Sequence, residues 1–190
     1  RITCYPRETV DKTATARAQV DAFFAQYRPL ILHYAQLCAQ EGGVEAFLIG
    51  TEMRELTNIR DEQNRFPAVE QFITLAADVK AILGPGVKVS YAADWSEYSN
   101  YRPNDGSGDV YFHLDPLWAS PDIDFIGIDN YMPLSDWRAG TAHLDALAGA
   151  ASIYEEDYLQ GNIRGGEGYD WFYASQADRD AQVRTPIADT

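Results

Sequence analysis

Residues 46–56 read AFLIGTEMREL, and this stretch decides how the chain is expected to fold. Its first five residues are apolar or glycine, with no polar residue alternating among them, and the run ends abruptly at Thr51 and Glu52. A continuous apolar run of strand length is typical of a strand buried on both faces of a parallel sheet. Glu52 therefore either marks the end of an element or is a carboxylate presented to a substrate.

The rest of the chain alternates between helical and strand patterns. Apolar spacing predicts helices at residues 11–26, 28–41, 67–83 and, over most of its length, 142–163, with the start of another at 176–185. Pro29 suits the first turn of the second helix, and Pro186 interrupts the last one. Strands are predicted at residues 46–51, 87–94 and 124–131. This alternation indicates parallel strands joined by helical crossovers.

The spacing of the strands favours an α/β fold of the (β/α)8, TIM-barrel-like type. The strands begin about 40 residues apart, and eight such units would need about 300 residues, which is usual for this barrel. An open doubly wound sheet is the alternative, but no GxGxxG or P-loop pattern follows any strand. With no initiator Met and no apolar signal core, residues 1–190 are expected to be a single, incomplete barrel domain from a longer multidomain chain.

Composition excludes several functions. The formal net charge of −14 disfavours binding to nucleic acid or to anionic lipid. No window approaches the roughly 18 apolar residues of a membrane-spanning helix, so membrane insertion is not expected. The two cysteines make no disulfide framework, and the three histidines lie far apart. The sequence therefore predicts neither a metal site nor a cofactor.

The predicted strand ends carry the candidate site. In a β/α barrel the chemistry lies at the carboxyl ends of the strands. Each predicted strand ends in a carboxylate, and the strand-end groups are Thr51-Glu52, Asp94-Trp95 and Asp129-Asn130-Tyr131. Paired carboxylates beside aromatic rings suit the cleavage of glycosidic bonds. The alternative is that these acidic residues cap the next helix and that the tryptophans are buried.

Two loops offer weaker candidates. NDGSGD at residues 104–109 spaces Asp105, Ser107 and Asp109 like the first ligands of a calcium loop. It lacks the glycine at the sixth position and the distal Glu, so a polar turn is expected. Glu167 and Asp170 lie in a glycine-rich segment that could contact substrate.

The strand ends resemble those of the clan A retaining glycoside hydrolases, whose acid/base Glu follows barrel strand four and whose nucleophile Glu follows strand seven. Glu52 matches the acid/base position, but Thr51 replaces the Asn that usually precedes it and binds the sugar 2-hydroxyl. The segment DFIGIDNYMPL at residues 124–134 looks like strand six, and Tyr131 matches a Tyr near the nucleophile. The resemblance implies a proton-donating role for Glu52.

Longer segments resemble a narrower family over essentially the whole chain. They read HYAQLCAQEGGVEAFLIGTEMRELTNIRD, SYAADWSEY, GSGDVYFHLDPLWASPDIDFIGIDNYMPLSDWR and GGEGYDWFYAS. They look like the TIM-barrel-like domain of the large tail (host-specificity, baseplate) protein of gene transfer agents and related phages. The resemblance implies a glycoside-hydrolase-like domain at the tip of a phage-like tail, assembled in the bacterial cytoplasm with other tail-tip proteins. The three strands would be about strands four to six, with the nucleophile beyond Thr190.

Three functions stay open on these grounds. A retaining hydrolase would act on cell-surface glycan or peptidoglycan sugar, with Glu52 as acid/base. Thr51 in place of Asn favours a non-catalytic, glycan-binding barrel instead, and a purely structural barrel is the third possibility. The expected substrate-binding residues are Thr51, Asp94, Trp95, Asp129, Asn130, Tyr131 and Trp137.

Overall fold

Three parallel strands in the order β1-β2-β3 form the main sheet of the protein. The strands are β1 (Ala46–Thr51), β2 (Lys88–Asp94) and β3 (Gly127–Asp129). Ala46 pairs with Lys88, and Ala92 pairs with Gly127. The predicted combination of parallel strands and helices is therefore confirmed.

The computed structural model describes residues 11–131, 133–163 and 170–187. The chain divides into two compact units, one ending at Asn130 and one beginning at Tyr131. The first unit holds the parallel sheet with α1 (Ala14–Gln40), α2 (Arg54–Thr57), α3 (Pro67–Leu83) and α4 (Asp115–Trp118). The second unit holds α5 (Leu144–Leu147), α6 (Glu156–Ile163), β4 (Trp171–Phe172), α7 (Gln176–Ala181) and β5 (Thr185–Pro186).

An aromatic cluster joins α1 and α3 to the sheet. The ring of Phe72 on α3 lies 5.0 Å from that of Phe24 on α1 and 4.9 Å from that of Tyr91 on β2. All three side chains are almost completely buried. The Tyr27 hydroxyl also donates to the carbonyl of Ile49 on β1, at 2.9 Å. Large rings with fixed partners anchor the helices to the strands that carry the site.

Helix α1 differs from the expectation of two helices meeting near Pro29. It is continuous over 27 residues, with Pro29 inside it. Proline removes one backbone hydrogen bond and crowds the preceding turn, which ordinarily breaks or kinks a helix. Here apolar side chains pack against the core on both sides of Pro29, including Tyr27 before it and Ile31 and Ala35 after it. This packing outweighs the cost of the proline.

Strand β3 is shorter than the predicted strand at residues 124–131. Residues 124–126 contact β2 in other ways: the Asp124 carboxylate accepts from the Val89 amide at 2.7 Å, and the Ser90 hydroxyl donates to the Phe125 carbonyl at 2.5 Å. Regular pairing begins only at Gly127, where a Cβ atom would lie 2.6 Å from the Tyr91 carbonyl oxygen. Only glycine allows the two backbones to approach this closely.

The second unit is less helical than expected over residues 142–163. Two short helices, α5 and α6, replace a mostly helical segment, and Gly149 follows α5 with a φ of +109°. Helix α7 ends at Ala181, and Gln182 follows it in the left-handed conformation, before Pro186 is reached. Pro186 instead lies in β5, which pairs antiparallel with β4.

Charged side chains hold the second unit together. The Asp136 carboxylate accepts hydrogen bonds from Tyr173, Gln182 and Arg184, and Arg184 also pairs with Asp145 at 2.7 Å. Burial opposes ionisation of Asp136, but these donors lower its pKa.

The helices found in the described ranges are all too short or too polar to cross a lipid bilayer.

Candidate functional site: the carboxyl ends of the parallel strands

The carboxyl ends of β1, β2 and β3 lie along one edge of the sheet because the strands are parallel. Asp94 at the end of β2 pairs in register with Asp129 at the end of β3. The Thr51 hydroxyl at the end of β1 donates to Oδ2 of Asp129 at 2.8 Å. Three of the predicted site residues are thus brought together at one edge.

A bulge in β1 positions Glu52. Leu48 pairs with Ser90 and Thr51 with Ala92, so β1 carries one more residue than β2 over this interval. The Glu52 amide then donates to the Ala92 carbonyl at 2.8 Å, which continues the strand contact past the bulge. Bulges turn a strand and re-aim its side chains, and they are frequent beside active sites. The bulge lies immediately before the proposed acid/base.

Glu52 adopts an unusual backbone conformation. Its φ is +50°, in the left-handed region that residues other than glycine rarely occupy. Its side chain is exposed. Such conformations cost about 1–3 kcal/mol and cluster at functional sites. The sheet therefore holds Glu52 strained at its carboxyl edge, with the carboxylate accessible to a ligand.

Asp94 orders the turn after β2. Its carboxylate accepts from the Ser96 amide at 2.8 Å and from the Ser96 hydroxyl at 2.5 Å. These hydrogen bonds lower the pKa of Asp94, with a smaller contribution from the charge of Arg54. The adjacent Trp95 is 45% exposed. Asp94 is thus an ionised carboxylate that shapes this loop, and Trp95 offers an accessible ring face.

The other predicted residues fall in different surroundings. Asn130 is exposed at the end of the first unit, while Tyr131 begins the second unit and is 67% exposed. Trp137 also belongs to the second unit, where its ring lies 4.4 Å from His143 and 5.9 Å from Tyr158. Trp137 therefore packs within an aromatic group of its own unit.

Glu97 is a buried carboxyl group that the sequence interpretation missed. It is 1% exposed and accepts hydrogen bonds from the hydroxyls of Thr57 and Tyr91 and from the Asp94 amide. The Tyr91 hydroxyl in turn accepts from the Met53 amide at 2.6 Å. Burial raises the pKa of Glu97, although the hydrogen-bond donors oppose this shift.

The spacing of Asp94 and Glu97 could have revealed this network. An acidic or hydroxyl residue followed three positions later by Glu is the pattern of a capping box. Here Glu97 accepts from the Asp94 amide at 3.2 Å, and Asp94 accepts from Ser96 within the same turn. Glu97 thereby links the loop after β2 to Thr57 on α2 and to the segment after Glu52.

The two weaker loop candidates carry no metal site in the described ranges. Asp105 accepts from the Ser107 amide at 3.0 Å and pairs with Lys12 and Arg60, as expected of a polar turn. Across residues 11–131, 133–163 and 170–187 no cluster of three metal-binding side chains occurs. Glu167 lies outside the described residues, whereas the carbonyl of Asp170 accepts from the Ile187 amide.

Comparison with known proteins identifies one family. A family model described as the GTA TIM-barrel-like domain, where GTA stands for gene transfer agent, matches residues 25–190. No curated protein and no solved structure gives a significant match to the chain. The matched range includes all three parallel strands and every residue of their carboxyl edge.

Proposed function

The chain belongs to the gene transfer agent TIM-barrel-like family, and we propose that it is a glycoside-hydrolase-like domain that cleaves glycan at Glu52. The substrate would be a cell-surface glycan or a peptidoglycan sugar, met by the tail of a phage-like particle. Other tail-tip proteins would be its partners, after assembly in the bacterial cytoplasm. Glu52, strained after a bulge and exposed at the carboxyl edge of the sheet, is the observation that carries this proposal.

The proposed reaction is retaining hydrolysis. In a complete barrel β1, β2 and β3 would be strands four, five and six, and the nucleophilic carboxylate would come from strand seven. Glu52 would protonate the leaving glycosidic oxygen and then, as a base, activate the water that releases the sugar from the nucleophile. The two carboxyl groups would stand about 5–5.5 Å apart.

Neighbouring side chains would bind and orient the sugar. Trp95 supplies an exposed ring face beside the strand ends, which suits stacking on a sugar ring. Thr51 and Asp129 already share a hydrogen bond, so they would present one polar group to a sugar hydroxyl. Asp94 would position the loop that carries Trp95. Asn130, at the end of the first unit, would be a further contact. The sugar contacts predicted for Tyr131 and Trp137 stay predictions.

A glycan-binding domain without hydrolysis is the second candidate. The Thr51–Asp129 hydrogen bond favours this candidate. Thr51 stands where the related hydrolases carry an Asn that binds the sugar 2-hydroxyl, and here its hydroxyl is already engaged. Asp94 is likewise engaged by Ser96. A site built from such engaged groups would recognise a sugar without cleaving it.

Release of reducing sugar from host envelope glycan, measured with the complete barrel that includes strand seven, would separate these functions. The variants are Glu52→Gln and Glu45→Gln, both at exposed positions and lying at opposite ends of the same strand. Hydrolysis predicts release by the unaltered protein and by Glu45→Gln, and release about 10²–10⁴-fold slower by Glu52→Gln. Release by Glu52→Gln at the rate of the unaltered protein would contradict the role of Glu52. Glycan binding without release by any of the three proteins would establish the second candidate.

A further inference from the structure

A cavity of about 530 Å³ opens beside the strand ends, within the first unit. Its volume lies in the range of small-molecule sites. The segment after β1 and the loop after β2 both line it, and its walls include Asp11, Arg54, Asn58, Glu97, Tyr101 and Arg102. None of the predicted strand-end residues lines the cavity.

Three acidic residues line the cavity: the exposed Glu55 lies 3.4 Å from Arg54, and the other two carboxylates are already engaged. Asp11 binds the buried guanidinium of Arg60 through two contacts, at 3.0 and 2.6 Å. Glu97 is buried and accepts from Thr57 and Tyr91. Neither group is therefore available to repel an anionic ligand as a free, solvated carboxylate would.

Two arginines, by contrast, keep unused donors. Arg54 donates to the Ser96 hydroxyl at 2.8 Å and lies 3.4 Å from the exposed carboxylate of Glu55. Arg102 makes one long contact, from Nε to the Asn100 side chain at 3.4 Å, and forms no ion pair within the described part of the chain. A guanidinium presents five donors and suits carboxylates best. Placing two in one cavity is notable for a chain of net charge −14.

The cavity also offers contacts for neutral parts of a ligand. Oδ1 of Asn58 is buried and has no hydrogen-bond partner among the residues that the structure describes. A buried acceptor left in this state costs free energy that a ligand hydroxyl or amide could recover. Tyr101 lines the same cavity, and its ring packs against the guanidinium of Arg60 at 5.7 Å and the ring of Tyr111 at 6.4 Å.

We infer that this cavity binds a sugar unit bearing a carboxylate, of the uronic-acid type. Arg54 and Arg102 hold the carboxylate, Asn58 accepts from a hydroxyl, and Tyr101 contacts the sugar ring. The inference rests on the proposed function in that it takes the ligand to be a sugar. It adds that the glycan is acidic and that recognition extends beyond the strand ends to the loops after β1 and β2.

Ligand-observed NMR titration with glucuronate, glucose and acetate would test the site, since glucose lacks the carboxylate and acetate lacks the sugar. The proteins are the unaltered chain, Arg102→Ala, Arg102→Glu and, as the matched control, Arg28→Ala, whose side chain lies on α1 beside Asp78. Arg102 is exposed, so its replacement should leave folding intact, as circular dichroism would check. We expect glucuronate to bind at least about tenfold more tightly than glucose or acetate.

Arg102→Ala should weaken glucuronate binding by about tenfold or more, Arg102→Glu should abolish it, and Arg28→Ala should leave it unchanged. Glucose binding as tight as that of glucuronate would contradict the specificity for an acidic sugar. Acetate binding as tight as that of glucuronate would contradict recognition of the sugar ring. No binding of glucuronate, or binding unaffected by Arg102→Glu, would overturn the site itself. Glu52→Gln should still bind glucuronate, so loss of hydrolysis and loss of this site are distinguishable.

Discussion

Protonation of His113 should destabilise the first unit as the pH falls. The side chain is 3% exposed and lies against the rings of Phe66, at 5.4 Å, and Tyr101, at 6.0 Å. Burial lowers the pKa of His113 to about 4, and the backbone of Tyr111 opposes this shift only in part. The unfolded chain takes up a proton on this residue near its ordinary pKa of 6.5. The folded state therefore binds fewer protons between these two values.

The sign and size of the effect follow from linkage. A folded-state pKa that lies below the unfolded value makes stability fall as the pH drops through the interval between them. A shift from 6.5 to about 4 corresponds to roughly 3 kcal/mol once both states are protonated. Between pH 7.5 and pH 5.0 the loss should be about 2 kcal/mol. Hydrogen bonds and ion pairs lower the pKa values of Asp61 and Asp124 to about 2. The contribution of these two groups to stability is therefore lost only at more acidic pH.

Urea unfolding followed by circular dichroism at pH 7.5 and pH 5.0 measures this loss. His113→Leu removes the titrating group at a similar volume, and His33→Leu on the exposed face of α1 is the matched control. The His113→Leu protein should lose about 2 kcal/mol less than the unaltered protein over this interval. Comparing variants also cancels the opposite contribution of Glu97, whose raised pKa favours protonation in the fold. Equal losses in the His113→Leu and unaltered proteins would refute the reasoning.

Two substitutions test the packing around the site. Tyr91→Phe removes the hydroxyl that accepts from Met53 and donates to Glu97, and should lower the free energy of unfolding by about 1–3 kcal/mol in urea titrations; an unchanged value would contradict the network. Gly127→Ala should lower the melting temperature, because its Cβ would lie 2.6 Å from the Tyr91 carbonyl oxygen. Gly161→Ala in α6 is the control, since open space surrounds that position and alanine favours helix by about 1 kcal/mol; equal effects of the two would contradict the close approach of β2 and β3.

The strands and α3 could be predicted because local signals and packing agree there. The run AFLIGT predicted β1, and the structure pairs β1 with β2 in a parallel sheet with Ile49 in the core. The prediction of burial on both faces was wrong, because Leu48 is 49% exposed. Pro67 begins α3, and Gly84 with a φ of +88° follows its end, as the sequence indicated. Strong local signals survive wherever the tertiary structure uses them in the same sense.

Other features depend on contacts between distant residues. The continuity of α1 through Pro29 follows from packing that no local pattern reveals. Glu97 is buried because Thr57, which lies 40 positions earlier in the chain, bonds to it. The length of β3 depends on how closely its backbone approaches Tyr91. Such contacts are set by the folded arrangement, so the periodicity of a single segment does not encode them.

The sequence predicted which residues lie at the candidate site, but it did not predict the contacts around them. Thr51, Asp94 and Asp129 lie at one edge, as the parallel order of the strands requires. The bulge before Glu52 could not be anticipated, because it is a property of the pairing between β1 and β2. The assignment of Glu52 as acid/base stays a prediction, as do the sugar contacts of the other strand-end residues.

The most direct test of the proposed function compares release and binding of the same glycan by the complete barrel, which includes strand seven, and by its Glu52→Gln variant. Loss of the general acid should reduce the rate of reducing-sugar release by about 10²–10⁴-fold. Binding should remain within about twofold, because the amide keeps the shape of the side chain. Equal rates of release by the two proteins would contradict the assignment of Glu52 as the group that protonates the glycosidic bond.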